Sequence, residues 1–143
     1  IIAHPERYKP IQDDISILIK LINSGALVQI DAGSLLGHFG EQCNKTALQI
    51  VLGKMCHILG SDAHNDGKRN FCIKAAVDFV NDFDGVNVDD LVLVNPEKVI
   101  NGEPIEINME FEYDLDNNND VLIKIITNFF IIDFLGNIFI EFF

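Results

Sequence analysis

The sequence predicts an α/β domain in which short parallel strands alternate with amphipathic helices. Three observations point there. Helix-period apolar patterns recur along the chain, and between them stand short runs such as "ALVQID" and "CHILGSD", too brief for helices and bounded by turn residues. Residues able to do chemistry fall at the carboxyl ends of those runs: His4, Asp31, Asp62 and His64. A helix between successive strands forces parallel pairing through crossovers, so the class is a doubly wound sheet or a (β/α) barrel, and both gather functional groups at the carboxyl ends of strands. With 143 residues, 48% of them hydrophobic, and mean hydropathy +0.21, the chain can bury one core.

Taken in order, "IIAHPERYKP" opens on the apolar tail of a strand, with His4 at its end and Pro5 fixing the turn after it. A first residue that is not Met and already lies in a strand reads as a piece of something longer. Asp13 to Gly25 is a helix, with Ile15, Leu18, Ile19 and Ile22 at i, i+3, i+4 and i+7 and Gly25 as its stop. "ALVQID" is the next strand, "AGSLLGHFG" a glycine-punctuated loop, and Asn44 to Lys54 the second helix. "CHILGSD" is the third strand; the loop "AHNDGKR" leads to a helix over Asn70 to Asn81. "NPEKVING" carries its own signals for a short helix, with Asn95 at the N-cap, Pro96 at the first position and Gly102 past the end.

Composition shifts near residue 105. Residues 1–104 hold 14 acids and nine bases, net −5, and read as one part of the chain; residues 105–143 hold eight acids and one base, net −7, and read as another. That extension begins with the alternating "EINMEFEYDLD" and ends in the apolar "VLIKIITNFFIIDFLGNIFIEFF". Lys124, Asp133 and Glu141 interrupt the apolar run, so it makes a poor membrane span and reads as an appended strand or helix, open to a partner or oligomer role.

The formal charge of −12 argues against a nucleic-acid partner, which would need Lys and Arg to neutralise phosphates. Cys43, Cys56 and Cys72 are odd in number and form no C-x-x-C pair, which fits a reducing cytoplasm, and no basic-then-apolar signal peptide is present. A cysteine phosphatase is excluded, because the positions six residues after the three cysteines hold Gln49, Asp62 and Asp78 where the phosphate-binding arginine belongs. No G-x-S-x-G elbow and no H-E-x-x-H helix occur. "DLDNNND" lacks the turn glycine of a calcium loop and has Ile125 in place of its bidentate Glu.

In "SDAH", Asp62 and His64 stand two apart, so extended backbone points both to one face, where they serve either as metal ligands or as a hydrogen-bonded pair. "HPER" repeats the theme with His4 and Arg7, as Arg69 follows His64. These are the chain's two arginines, and a planar guanidinium matches phosphate oxygens, so the pairing suggests phosphate held next to a metal; surface salt bridges are the alternative. Asp31, Ser34 and His38 sit on a glycine-bearing loop that could shape a pocket floor, while His38 and His57 themselves read as structural.

Together, "AHPERY", "QIDAGSLLGHFG", "GSDAHN" with Arg69 following, and "NPEKVINGEPI" resemble, in that order, the metal-dependent tyrosine-protein phosphatases of bacterial capsule and exopolysaccharide loci, members of the polymerase and histidinol phosphatase (PHP) superfamily. The resemblance covers residues 1 to about 105 and implies a partial (β/α) barrel of PHP type, its last three strand–helix units, followed by the extension. It implies His4, Asp62 and His64 as ligands of divalent metal, manganese by family habit, with Arg7 and Arg69 as the catalytic and substrate-binding groups that hold phosphate. The expected reaction is hydrolysis of phosphotyrosine by a metal-activated hydroxide, on a tyrosine kinase of polysaccharide assembly in the cytoplasm. A small phosphoester such as histidinol phosphate is the alternative substrate, and a truncated, inactive binding module the alternative of another class. The family's H-x-H strand, further His and glutamates are absent from this sequence, and Gly60 and Asp31 stand where relatives are expected to differ.

Overall fold

A computed structural model describes residues 1–64, 70–83 and 85–107. By contacts the chain divides into units at 1–109 and 110–143, and all described residues lie in the first. Arg69, the "DLDNNND" segment and nearly all of the extension therefore lie outside the described residues.

Three parallel strands form one sheet in the order β1-β2-β3: Ile2–Ala3, Val28–Asp31 and Ile58–Gly60. Ile2 pairs with Val28, and Ile30 and Asp31 pair with Leu59 and Gly60. The parallel α/β arrangement expected from the alternation is thus present. Val28 and Ile30 of the central strand, two residues apart and so on one face of the sheet, are fully buried.

Between β1 and β2 the chain makes a 3₁₀ turn at Pro5–Arg7, then α1 (Lys9–Asp13) and α2 (Ser16–Asn23). The expected single helix from Asp13 starts later because Asp14 is extended (φ −147°, ψ 97°), and its Oδ1 accepts a hydrogen bond from Ser16 N at 2.9 Å. Leu18, Ile19 and Ile22 form the buried face that the 3.6-residue period marks. Gly25, at φ +93°, ends the segment in a backbone conformation that side chains resist.

The stretch after β2 departs from the expected loop. Asp31 caps a helical turn, α3 (Ala32–Leu35), by accepting from Gly33 N at 2.8 Å. α4 spans Glu41–Leu52 and closes in a Schellman pattern, with Lys54 N donating to Val51 O and Met55 N to Ile50 O. After β3 come α5 (Ile73–Val80), a π-helical turn at Asp90–Val94 and α6 (Asn95–Asn101). Asn95 does not cap α6: Val94 ahead of it is already helical, and the Asn95 side chain donates instead to His57 O at 2.9 Å. Gly102, at φ +70°, ends α6 as its position after the helix foretells.

Leu18, Ile19, Ile22, Ile50, Met55 and Val80 are likewise without exposure and form the core with Val28 and Ile30. The core thereby fixes the sheet whose carboxyl ends carry the polar cluster described next. No helix among the described residues is long and apolar enough to cross a membrane.

Candidate functional site

The carboxyl ends of the strands meet in a chain of charged contacts. From the turn after β1, Arg7 donates through Nη1 to Asp62 Oδ2 at 2.9 Å and places Nη2 3.4 Å from Asp31 Oδ2. Asp62, beyond β3, also meets His64 Nε2 at 3.2 Å through its other oxygen. Three successive strand ends are so joined by one guanidinium. Its Cζ lies 3.9 Å from the centre of the Phe39 ring, a cation–π contact that fixes the fork on its remaining side.

Asp62 and His64 do share a face, but not through extended backbone. Asp62 has φ +44°, and His4, at the end of β1, has φ 41° and ψ 52°. Left-handed backbone costs a non-glycine residue about 1–2 kcal/mol, and such strain collects at functional sites. It falls on two of the three residues singled out as ligands.

His4 is half-buried, its ring edge-on to Tyr8 at 5.7 Å between centroids. Its Nδ1 is shut off from solvent and has no hydrogen-bond partner among the described residues. His4 does not join the Arg7–Asp62–His64 contacts among the described residues, and Arg69 lies outside those residues. No three His, Cys, Asp or Glu side chains among the described residues are grouped closely enough to hold a metal ion. By donor chemistry the set still fits a divalent cation in part: one carboxylate, one exposed imidazole beside it, and one imidazole nitrogen with no partner among the described residues.

Two residues of the site carry no strong sequence signal. Glu6 is fully buried; its Oε1 accepts from Ser34 Oγ at 2.6 Å and from Asp31 N at 3.2 Å, and its backbone carbonyl accepts from Gln12 Nε2 at 2.7 Å. Burial pushes its carboxyl above the ordinary range, against the pull of the Ser34 hydrogen bond. In sequence it looks like any surface acid beside a proline. Phe39 could have been found as an aromatic held between Gly37 and Gly40 on the loop facing a scarce arginine.

Ser34 is buried and bonded to Glu6, so it anchors the turn and does not floor a pocket. His57 is structural, as expected: buried, it accepts from Val28 N through Nδ1 at 3.1 Å, tying the start of β3 to β2. His38 is exposed and lies over Gly33, where an added Cβ would come within 3.0 Å of His38 Nδ1. A separate cleft of about 170 Å³, lined in part by Lys54, His57, Asn87 and Asn95, involves none of the strand-end residues.

The sequence profile for capsular polysaccharide synthesis proteins, CpsB/CapC, matches residues 1–101. The chain belongs to the CpsB/CapC family. It is 47% identical over 74 residues to the tyrosine-protein phosphatase CapC of Staphylococcus aureus, a match covering 52% of this chain and 29% of that protein. It is 35% identical over 105 residues to the tyrosine-protein phosphatase YwqE of Bacillus subtilis, covering 73% of this chain and 41% of that one. Among solved structures, one from a study of YwqE of Bacillus subtilis and CpsB of Streptococcus pneumoniae, described as metal-dependent tyrosine phosphatases, superimposes with TM-score 0.69 at 34% identity, covering 75% of this chain and 43% of that chain. The chain spans less than half the length of these CpsB/CapC relatives. The charged cluster lies wholly within the matched residues.

Proposed function

We propose that this chain supplies one side of the active site of a metal-dependent phosphotyrosine phosphatase. The observation that carries the reading is the contact of Arg7 with Asp62, itself against His64, at adjoining strand ends of a CpsB/CapC domain. His4, Asp62 and His64 hold a divalent cation, manganese in this reading. That cation, when bound, supplies a water of lowered pKa and offsets charge on the phosphoryl group. Arg7 and Arg69 grip the phosphate oxygens; Arg7 presents a planar set of N–H donors, held by Asp31 and Phe39 from the sides. No covalent intermediate with a protein side chain is required.

The sheet reads as the last three strand–helix units of a PHP-type barrel. The substrate is a phosphotyrosine protein, a class that the phosphatase names of the CpsB/CapC relatives support, and a kinase of polysaccharide assembly is the substrate proposed within it. Three free thiols suit a cytoplasmic setting. The acidic, apolar residues 105–143 are left for a partner or oligomer contact.

Phosphate release from a phosphotyrosine peptide and from histidinol phosphate, with manganese present, tests the reading. Faster turnover of the peptide, reduced about a hundredfold or more in Asp62→Asn, is expected; preference for histidinol phosphate would overturn the substrate class. The lack of a three-donor group among the described residues favours a second reading, a folded binding module without activity. A chain that folds yet retains no manganese after dialysis would select it.

A further inference from the structure

We propose that Glu6 is a positioning residue for Arg7, an inference that rests on the phosphatase reading above. Glu6 and Arg7 are neighbours in one 3₁₀ turn, and both grip Asp31 from different sides. Glu6 Oε1 takes the Asp31 backbone N–H at 3.2 Å, while Arg7 Nη2 approaches the Asp31 carboxylate at 3.4 Å. The same Oε1 takes the Ser34 hydroxyl at 2.6 Å, so the turn is fastened to both the last residue of β2 and the helical turn that follows it. Gln12 holds the turn from the opposite side through the Glu6 carbonyl. With its backbone and its Asp31 partner both fixed, the Arg7 guanidinium has little freedom but to reach Asp62.

A purely structural role accounts poorly for an acid here. Glu6 is wholly buried, and its Oε2 has no hydrogen-bond partner among the described residues. Burying a carboxyl group with one oxygen unsatisfied is costly, and packing alone would be served more cheaply by an apolar side chain. What an apolar side chain cannot do is accept two hydrogen bonds from Asp31 and Ser34 at once. The cost is explained if those two bonds set the position of the neighbouring arginine.

The chain has two arginines, so the Arg7 Nε–H signal in a ¹⁵N–¹H NMR spectrum can be assigned by difference with Arg69→Lys. In the parent chain the signal should be displaced from its free-peptide position and should move on titration with inorganic phosphate. In Glu6→Ala it should collapse to the free-peptide position while core methyl signals persist, and the apparent phosphate Kd should weaken by about tenfold or more. Glu6→Gln, which keeps an acceptor at the Oε1 position, should bring that Kd back to within about threefold of the parent. Ser34→Ala, which removes one of the two bonds, keeps the test open if Glu6→Ala does not fold; it should weaken phosphate about threefold.

An unchanged Arg7 signal and phosphate Kd in folded Glu6→Ala, or in Ser34→Ala if Glu6→Ala does not fold, would overturn the positioning role while leaving the phosphatase reading intact. A parent Arg7 signal that ignores phosphate would instead sink the phosphate-binding reading on which the inference rests.

Discussion

Arg7 Nη1 lies 2.9 Å from Asp62 Oδ2, a contact between residues 55 positions apart that ties the turn after β1 to the loop after β3. Its geometry needs the planar guanidinium, because the second nitrogen is committed toward Asp31. Lysine offers one point charge and cannot span both carboxylates while stacking on Phe39. Arg7→Lys is therefore expected to lower kcat/KM on a phosphotyrosine peptide about a hundredfold, measured by steady-state phosphate release. Activity within twofold of the parent would show that the fork does not matter.

Gly33 leaves space that Phe39 and His38 occupy. An added Cβ there would stand 3.0 Å from both Phe39 Cε2 and His38 Nδ1, and 3.3 Å from Asp31 Oδ1. Phe39 must move for alanine to fit, and Phe39 carries the arginine. Gly33→Ala should destabilise the chain by about 1–3 kcal/mol in urea unfolding and disturb the Arg7 NMR signal. An undisturbed signal would mean that Phe39 gives way without Arg7 following.

His57 gives the fold a pH dependence of its own. Burial pushes its pKa below the ordinary histidine value, so the folded chain binds fewer protons at this site than the unfolded chain. Its contribution is complete above the unfolded value of about 6.5 and is lost progressively as pH falls from there through the lower folded value. The midpoint of urea unfolding should fall between pH 7 and pH 5 by more in the parent than in His57→Gln, whose own loss at pH 7 should be about 1–3 kcal/mol because Val28 N risks losing its acceptor. Equal pH slopes in the two proteins would refute the assignment.

The thiols should separate by reactivity. Burial pushes Cys56 up to about 12 and raises the Cys43 and Cys72 thiols as well, but Cys56 and Cys43 are buried whereas Cys72 is only half-buried and so within reach of reagent. Only the thiolate is alkylated. Mass spectrometry after brief iodoacetamide treatment at pH 7.5 should find Cys72 modified first and Cys56 last, an order that denaturant abolishes. Early modification of Cys56 would contradict the buried core around β3.

Much of the architecture was legible because it depends on periodicity. Leu18, Ile19 and Ile22 mark a buried helical face in any fold, and strands separated by helices pair in parallel wherever they pair. What was not legible depends on single side chains choosing partners. Asp31 turned an expected loop into a helical turn by capping Gly33, and Asn95 forsook its cap for the carbonyl of His57. Asp14, in extended backbone, moved the start of the expected helix from Asp13 to Ser16.

The site divides in the same way. Asp62 and His64 do meet, but through left-handed backbone at Asp62, where the extended alternation used to pair them does not apply. Arg7 was recognisable by scarcity, yet its partners Asp31 and Phe39 are set by tertiary packing of the loop after β2. Glu6 is invisible to spacing and charge because its burial follows only from the turn folding onto β2.

The measurement that bears most directly on the metallophosphatase account is manganese binding, followed by loss of the free Mn²⁺ signal in electron paramagnetic resonance as the chain is added. The account predicts saturable binding by the parent and its loss in the double variant Asp62→Ala/His64→Ala, with both proteins folded by circular dichroism. Binding that survives the double variant, or a folded parent that takes up no manganese, would contradict it.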